Sequence, residues 1–393
     1  MENTSKRTAK KDIRKVAKRS QKQKSKRTNE DSITSDSERW MSYDVLRIIF
    51  RHLNGKDLTS AAMVCRLWQG AASDEKKTRL WPDCFMVHIS KLEEKGKTLG
   101  LSIVKHINIQ PIVGLVFGVS TINSRIVCES RIMSKKGPGC YCSYLPTQCK
   151  SIIFGDHGMI ANQIEAECDN DAVSCLFLPK VPNVKIKTFT LTSHAVSHNF
   201  KQFAKNRKRP FSQQFDKDMK AVIIFSNDAG SGIISRMLQF FVSERSKTSK
   251  EPLSVWGGIA TELAICNRKD NKCLVNVSLA GISFSGSDIS TWSIVIDDQQ
   301  RTKEQIEAKL SQLKDCIKLR KYTIGFMLAC YQRGVRLHSE RNVESSIFKK
   351  LFPNIPLVGT FGSGEFGLTT INNDSSQLVT HEWSTIFMIL SYG

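Results

Sequence analysis

The sequence predicts an α+β protein in which a small helical module precedes a large body built from mixed sheets. Three observations support this fold class: helical apolar spacing over residues 41–68, short β-branched runs from about residue 83 onward, and helical stretches too few to separate those runs regularly. Forty per cent of the 393 residues are apolar, which is enough to bury a sizeable core.

The module consists of two predicted amphipathic helices joined by a tight turn. The first has apolar residues at helical spacing: Val45, Leu46, Ile49, Phe50 and Leu53. Asn54-Gly55 ends it, Asp57 is the predicted N-cap of the second helix, and that helix carries apolar residues from Leu58 to Trp68. Two short helices cannot bury both apolar faces by themselves, so the exposed face must meet the rest of the chain or a partner.

The body has more predicted strands than helices, and the helices do not alternate with the strands. This pattern favours mixed sheets over a doubly wound parallel sheet. The predicted strands are Ile112–Phe117, Ile126–Cys128, Ser151–Phe154, Val173–Leu178, Lys185–Thr192, Ala221–Ser226, Val275–Phe284, Ser293–Ile296, Thr323–Ala329, Pro356–Phe361, Leu378–Thr380 and Thr385–Leu390. The predicted helices are Ile233–Glu244, Glu304–Lys318 and Val343–Phe352.

The positive charge is concentrated at the start of the chain. The formal net charge is +21, and residues 1–30 hold twelve Lys or Arg against three Asp or Glu. This favours a disordered basic tail, residues 1–36, on an ordinary fold and disfavours a nucleic-acid-binding domain. Its clusters Lys6-Arg7, Lys10-Lys11 and Lys18-Arg19 suit a nuclear import signal, and a solubilising tail is the alternative. A second basic run, Lys205–Arg209, is interpreted as a solvated loop.

No stretch of the sequence has the composition of a membrane span. The longest charge-free stretch, Ile107–Ser124, contains Asn, Gln and Pro residues and is interpreted as buried strands. The start of the chain lacks the apolar core of a secretory signal. We therefore expect a soluble intracellular protein with no membrane partner, whose twelve cysteines are reduced.

Several short motifs resemble catalytic or cofactor sites without their required context. Gly362–Gly367 reads GxGxxG after a predicted strand, but no helix follows to hold a pyrophosphate. His194 and His198 lack further metal ligands, and Cys140-Tyr-Cys142 with Cys149 is not a CxxC repeat. Gly281–Gly286 misses GxSxG by one position. We expect no catalytic residue, no metal and no cofactor.

One cluster near the C-terminus remains a candidate site. Cys330 ends a predicted apolar strand just before Arg333, whose guanidinium could lower the thiol pKa, although a buried core cysteine is the plainer interpretation. Arg333 and Glu365 both follow predicted strands at Gly-containing turns, so we expect them to meet beside Cys330 with Gly364 close by. A structural ion pair between Arg333 and Glu365 is the alternative.

The helical module resembles an F-box. The resemblance rests on Asp44-Val45-Leu46, Ile48-Ile49-Phe50, Leu53, Asp57-Leu58 and Val64-Cys65-Arg66-x-Trp68, whereas Met41-Ser42 replaces the usual Leu-Pro opening. It implies that the module, residues 37–82, docks on a Skp adaptor and thereby joins a cullin and a RING subunit in an SCF-type ubiquitin ligase. The contact residues implied are Met41, Val45, Leu46, Ile49, Phe50, Leu53, Leu58, Val64, Cys65 and Trp68.

The body resembles a FIST domain, with halves at 83–265 and 266–393. The resemblance rests on Ile324–Gly334, Leu351–Gly359, Gly362–Gly367 and Ala280–Gly286. It implies a reader that presents a protein substrate, such as a nuclear regulator, for polyubiquitination and proteasomal degradation in nucleus and cytoplasm. One alternative is a FIST small-ligand sensor with a degenerate F-box, whose pocket would lie near Cys330, Arg333 and Glu365. Another is a nucleic-acid binder that works through the basic tail.

Overall fold

The computed structural model describes residues 41–89, 99–120, 144–168, 171–192, 216–267, 272–275, 277–371 and 380–393. The described residues divide into two compact units: a small unit that includes residues 41–52 with 61–75, and a body made of the described residues among 53–60 and 76–393. Several predictions fall outside the described residues, namely those for the tail 1–36, Ile126–Cys128, Cys140 and Cys142, His194 and His198, Lys205–Arg209, and the first two residues of Leu378–Thr380.

The N-terminal region contains three helices: α1 Tyr43–Phe50, α2 Gly55–Ala61 and α3 Arg66–Thr78. The Ser42 hydroxyl caps α1 by accepting from the backbone N–H of Val45 at 3.4 Å. The single helix predicted from Asp57 to Trp68 is therefore wrong, because α2 ends at Ala61 and α3 begins at Arg66. Asn54 caps α2 by accepting from the Asp57 N–H at 2.8 Å, so Asp57 lies in the first turn instead of at the cap.

The described part of the body contains eighteen strands in three six-stranded sheets. In chain order they are β1 Asp83–His88, β2 Pro111–Val119, β3 Lys150–Asp156, β4 Gly158–Ala161, β5 Ile164–Glu167, β6 Ala172–Pro179, β7 Val184–Leu191, β8 Met219–Ser226, β9 Ser254–Ile259, β10 Glu262–Asn267, β11 Lys272–Leu274, β12 Leu279–Gly286, β13 Ile289–Ile296, β14 Tyr322–Cys330, β15 Leu357–Gly362, β16 Glu365–Gly367, β17 Thr380–His381 and β18 Thr385–Tyr392. The helices are α4 Leu99–Lys105, α5 Asp228–Thr248, α6 Lys303–Cys316, α7 Val335–His338 and α8 Val343–Leu351. The predicted α+β class with mixed sheets is confirmed.

The three sheets repeat one topology. Their strand orders are β1-β6-β2-β3-β10-β11, β7-β12-β8-β9-β16-β17 and β13-β18-β14-β15-β4-β5. In each, the two central strands are parallel, β2–β3, β8–β9 or β14–β15, and the other neighbours are antiparallel. After each parallel pair the chain forms a hairpin, β4–β5, β10–β11 or β16–β17, that joins a different sheet. Successive groups of six strands therefore behave as three structural repeats.

The proposed division of the body at residue 265 stays a prediction. In the structure β10 runs through that position, and each sheet takes strands from both sides of it. The predicted strand Val275–Phe284 begins too early, since β12 starts at Leu279. The exchanged hairpins were largely missed, because their strands are as short as two to six residues and some carry Glu at an end.

The three sheets enclose a common core with aromatic residues at its centre. The ring of Trp256 on β9 lies 6.1 Å from Phe117 on β2 and 5.2 Å from Phe326 on β14, so each sheet contributes one ring. The Trp256 indole N–H donates to the Ile386 carbonyl at 3.0 Å, which satisfies its buried donor. Separate apolar layers on the outer faces bury α4, α5, and α6 with α8.

Candidate functional site

The small unit exposes a group of large apolar side chains, here called the apolar face. Its most exposed members are Met63 at 78 %, Val64 at 62 % and Ile48 at 57 %. The full set is Val45, Ile48, Ile49, Met63, Val64 and Leu67. Single exposed apolar residues are ordinary, but six in so small a unit are typical of a surface that binds another protein.

The opposite side of α1 is buried. Leu46 and Phe50 have no exposed surface, and the Phe50 ring packs edge-on against Trp68 with centroids 5.3 Å apart. The Tyr43 hydroxyl also donates to the Asp74 carboxylate, which joins α1 to α3 within the unit. These contacts fix which side of α1 faces outward.

The predicted contact residues therefore divide into two groups. Val45, Ile49, Val64 and Cys65 are exposed, and Met41, Leu53 and Trp68 are half-buried. Leu46, Phe50 and Leu58 are fully buried, so they serve the protein's own core and are not accessible for contact. The sequence prediction missed Ile48, Met63 and Leu67. The sequence carries one indication that α1 also has an exposed apolar side: five of its eight residues are apolar, which is more than one buried stripe accommodates.

The second candidate region lies in the body where β14 ends. Arg333 is 2 % exposed, and its Nε and Nη2 donate to Glu344 Oε1, both at 2.9 Å. Its remaining donors reach the carbonyls of Asp297 at 2.9 Å, Gln300 at 2.8 Å and Trp383 at 3.2 Å. One guanidinium thus joins α8 to two separate loops, and it has little capacity left for a ligand.

Glu344 is kept ionised by its neighbours. Burial alone would raise the pKa of this carboxyl, but Arg333, His338 and Thr385 together outweigh burial and hold the pKa below its usual value. His338 Nε2 lies 3.0 Å from the same oxygen that Arg333 contacts. The expected ion pair of Arg333 with Glu365 is therefore wrong: the partner is Glu344, which sequence reasoning treated only as part of a helix.

Glu365 lies in the same region without an ion-pair partner in the described part of the body. Its Oε2 accepts from the Ser384 N–H at 3.3 Å and hydroxyl at 3.1 Å, while its buried Oε1 has no hydrogen-bond partner. Burial raises the pKa of Glu365 to about 8, although Ser384, Cys330 and Arg333 each favour the ionised form. This side chain is consequently protonated over much of the neutral range.

Cys330 lies beside Glu365, as predicted, but its thiol is not activated. Burial and the Glu365 carboxylate raise the pKa of Cys330 to about 11. The expectation that Arg333 lowers this pKa fails because the guanidinium is held by Glu344. The thiol therefore remains protonated at neutral pH.

The Gly362–Gly367 segment lies where the three structural repeats meet. The Ser363 N–H and hydroxyl donate to Asp156 Oδ2 at 2.9 and 3.0 Å, and the Thr261 hydroxyl donates to Asp156 Oδ1 at 2.5 Å. A Cβ on Gly364 would approach Ile259 Cδ1 to 2.9 Å, so close packing accounts for this glycine. A strand, β16, follows the segment where a dinucleotide site needs a helix.

A cavity of about 810 Å³ opens beside Glu365. Helix α5 contributes Ser231, Gly232 and Ser235 to its wall, and four carboxylate residues outnumber one lysine and one histidine in the lining. The ionisable lining residues are Asp297, Asp298, Lys309, Glu365, His381 and Glu382. Its size suits a small polar ligand.

Among the described residues, no three His, Cys, Asp or Glu side chains are arranged to hold a metal ion. Among the same residues, no helix is long and apolar enough to cross a membrane.

Comparison with known proteins supports the resemblance of the helical module to an F-box. Residues 43–83 match the F-box-like family model. F-box only protein 22 from Homo sapiens is 23% identical to this chain over 382 residues, which cover 89% of this chain and 93% of that protein. F-box only protein 22 from Pongo abelii is 23% identical over 380 residues, with the same coverage. A cyanuric acid hydrolase structure from A. caulinodans, at 8% identity, covers 79% of this chain and 99% of that one, but its TM-score of 0.33 is too low to support an argument. The chain therefore carries an F-box-like module at residues 43–83 and is similar to F-box only protein 22 over most of its length.

Proposed function

We propose that this chain is the substrate-recognition subunit of an SCF-type ubiquitin ligase. Its F-box-like module docks on a Skp adaptor, which links it to the cullin and RING subunits. The observation that carries the proposal is the apolar face, since Ile48, Met63 and Val64 lie exposed on the helical module that matches the F-box-like family.

The energetics of the apolar face are consistent with a stable complex. Burying one large aliphatic side chain contributes roughly 1.5–3 kcal/mol, and association costs about 4–15 kcal/mol. Six partly exposed side chains therefore offset much of that cost, and polar contacts at the rim add specificity.

The body, in this proposal, is a FIST domain that holds a protein substrate for polyubiquitination and proteasomal degradation, without catalysis by the chain itself. The chemistry around Cys330 supports a non-catalytic role. The thiol has a raised pKa, and Arg333 is occupied by Glu344 and three carbonyls. The ligase subunits would supply the ubiquitin-transfer chemistry.

Binding of the full-length chain to a purified Skp adaptor tests the docking step. We expect a one-to-one complex that the double variant Ile48→Glu with Leu67→Glu weakens more than about 100-fold, because two buried carboxylates would lack partners. The matched control is Leu319→Glu with Leu274→Glu, which adds the same two charges at exposed apolar residues of the body.

The outcome has two clear alternatives. Equal binding by the wild type and the double variant, with both folded, would refute docking through the apolar face. If binding depends on the face, adding the cullin, RING and ubiquitin-conjugating components then tests whether substrate proteins are ubiquitinated in a chain-dependent way.

A small-ligand sensor is the second candidate function, and the cavity beside Glu365 is the observation that favours it. A Cβ on Gly232, in the cavity wall, would meet no atom within 4 Å, so Gly232→Phe should place a ring that obstructs part of the cavity. Native mass spectrometry of the chain purified from cells should then detect a bound small molecule in the wild type and none in this variant. A wild-type chain that carries no ligand would oppose this function.

We also propose that the chain acts in both nucleus and cytoplasm, on the basis of the basic clusters within residues 1–30. Fusing residues 1–36 to a fluorescent reporter should concentrate the reporter in the nucleus. A reporter with the lysines and arginines of that segment replaced by glutamine is the control. Equal distribution of the two reporters would contradict nuclear import by the tail.

A further inference from the structure

Two cysteines lie opposite each other in the exchanged hairpin of the second repeat. Cys266 on β10 and Cys273 on β11 are direct partners in the antiparallel register. The Cys273 thiol donates to the Cys266 sulfur across 3.3 Å. Directly opposed residues in such a pair have Cβ atoms about 4.5–5.5 Å apart, which is close to the spacing that a disulfide needs.

The two thiols differ in access, as a reactive pair requires. Cys266 is 1 % exposed within the apolar layer over its sheet, whereas Cys273 is half-buried at the margin of that layer. Among the described strands, β11 lies at the edge of its sheet, so a reagent can approach Cys273 from that side. The outer thiol can react first and the inner thiol second.

From this geometry we infer that Cys266 and Cys273 form a redox-active dithiol that closes to a disulfide by exchange with a low-molecular-weight disulfide such as oxidised glutathione. The Cys273 thiolate attacks one sulfur of glutathione disulfide, which forms a mixed disulfide and expels one glutathione thiolate. The Cys266 thiolate then attacks Cys273 Sγ and expels the second. The protein loses two protons and two electrons, and the glutathione disulfide accepts both electrons.

A second pair of cysteines on neighbouring strands provides an internal contrast. Cys84 on β1 is opposite Leu176, and Cys175 on β6 is opposite Phe85. This offset of one residue places the Cys84 and Cys175 side chains on opposite faces of the sheet. Proximity in the sheet is thus insufficient, and the register of Cys266 with Cys273 is what permits a bond.

The disulfide would link the edge strand β11 covalently to its neighbour β10. Strand β11 has only three residues, and the hairpin it completes attaches the second repeat to the sheet of the first. Residues Ile265, Asn267 and Leu274 of the same hairpin line a cavity of about 240 Å³ on the other face of the sheet. Oxidation would therefore restrain both the sheet edge and one wall of that cavity.

Tryptic mapping of the full-length chain after exposure to glutathione disulfide tests the inference. Arg268, Lys269 and Lys272 provide cleavage sites between the two cysteines, so the peptides of Cys266 and Cys273 stay joined only through a disulfide. We expect the joined peptides without reductant and their separation with dithiothreitol. Separate, unlinked peptides, or linkage of either residue to another cysteine, would overturn the proposal.

Single variants test the order of the two steps. Cys266→Ala should retain glutathione on Cys273 at a level about tenfold above the wild type, because the second attack is lost. Cys273→Ser should leave Cys266 unmodified. Because this variant keeps the buried Cys266 side chain, it tests the order of the steps even where Cys266→Ala folds poorly. Cys84→Ser is the control and should leave the joined peptides unchanged. Equal glutathione retention by folded Cys266→Ala and the wild type would refute the second step.

Discussion

The apolar face of the small unit and the charged cluster of the body, which consists of Arg333, Glu344 and Glu365, both hold side chains in surroundings that do not suit them. On the small unit, Ile48 and Met63 are apolar and lie in water. In the body, Arg333 and Glu344 are charged and lie out of water. Burial against a partner would relieve the first condition, whereas internal contacts already compensate the second. The comparison favours binding for the face and a structural role for the Arg333–Glu344 pair.

Within the charged cluster, two buried carboxyl groups respond differently to similar burial. Glu344 has a cation in direct contact and a lowered pKa, whereas Glu365 has hydroxyl and N–H donors from Ser384 and a raised pKa. The difference arises from where Arg333 directs its nitrogens. A buried acid next to a conspicuous arginine is therefore no proof of an ion pair.

The largest effect is expected from Arg333→Gln, which should destabilise the body by about 3–5 kcal/mol. The change leaves the buried Glu344 charge unpaired and deprives three carbonyls of their donor. Urea unfolding at pH 7 measures the loss. The control is Arg336→Gln on the exposed side of α7, which should change stability by less than about 0.5 kcal/mol.

A double variant sharpens the structural interpretation of that pair. Arg333→Met with Glu344→Leu removes both charges, so it should be less destabilising than Arg333→Gln alone. If Arg333→Gln instead leaves stability unchanged but lowers substrate ubiquitination, the cluster is functional and the comparison with the apolar face fails.

The next effect concerns the two sides of α1. Leu46→Ala should destabilise the protein by about 2–5 kcal/mol, because it leaves a cavity where a fully buried side chain stood. Ile48→Ala should change stability by less than about 0.5 kcal/mol yet weaken adaptor binding, because Ile48 is exposed. Thermal unfolding and adaptor affinity, measured on both variants, separate the roles. Equal stability losses would mean that α1 has no free side.

Helices α1, α5, α6 and α8 and most strands outside the exchanged hairpins were predictable because their apolar periodicity is set locally, whereas α4, α7, β1 and β9 were missed. Ile324–Cys330, for instance, is apolar throughout and forms the buried strand β14. The outward side of α1 was not predictable by spacing alone, since Leu46 and Ile48 are both apolar and only tertiary packing decides which is buried. Likewise, the partner of Arg333 depends on how α8 packs against the end of β14, which no local pattern encodes.

The threefold repetition was also hidden in the sequence. The first strands of the three parallel pairs, Pro111–Val119, Met219–Ser226 and Tyr322–Cys330, share apolar character but few identities. Burial on both faces requires only that such strands be apolar, so their sequences are free to diverge. The repeat becomes visible in strand order and hairpin exchange, which are properties of the assembled sheets.

A smaller, pH-dependent effect is expected from Glu365→Gln. The pKa of Glu365 is about 8 in the folded protein, against a usual 4.5, so the folded state holds its proton more tightly. The stability that this proton provides is complete below about pH 4.5 and is lost as pH rises through 8. Glutamine mimics the protonated form, so the variant should be more stable than the wild type by about 2–4 kcal/mol at pH 9 and equal at pH 4.5.

Urea unfolding at both pH values measures this difference. Ser384→Ala is a companion variant that removes one donor to Glu365 and should enlarge the pH dependence, since that hydroxyl favours the ionised form. A wild type whose stability does not fall between pH 5 and 9 would contradict the inference that Glu365 is buried without a cation.

The smallest effect is expected at Glu165, which extends the comparison to a carboxyl group packed against α8. Burial raises the pKa of Glu165 to about 7, and the neighbouring Glu344 and Glu167 carboxylates add to the shift, while the Ser345 N–H donates to it at 2.7 Å and opposes it. Stability from the bound proton is thus present below about pH 4.5 and lost as pH rises through 7.

Glu165→Gln keeps an oxygen for the Ser345 N–H and should stabilise the protein by about 1–2 kcal/mol at pH 8 but not at pH 4.5. Glu307→Gln, which removes a carboxylate from an exposed ion pair with Lys350, is the control and should show no such pH difference. If Glu165→Gln destabilises the protein at pH 8, the ionised carboxylate is needed as an acceptor, and Glu165 belongs with Glu344 instead of with Glu365.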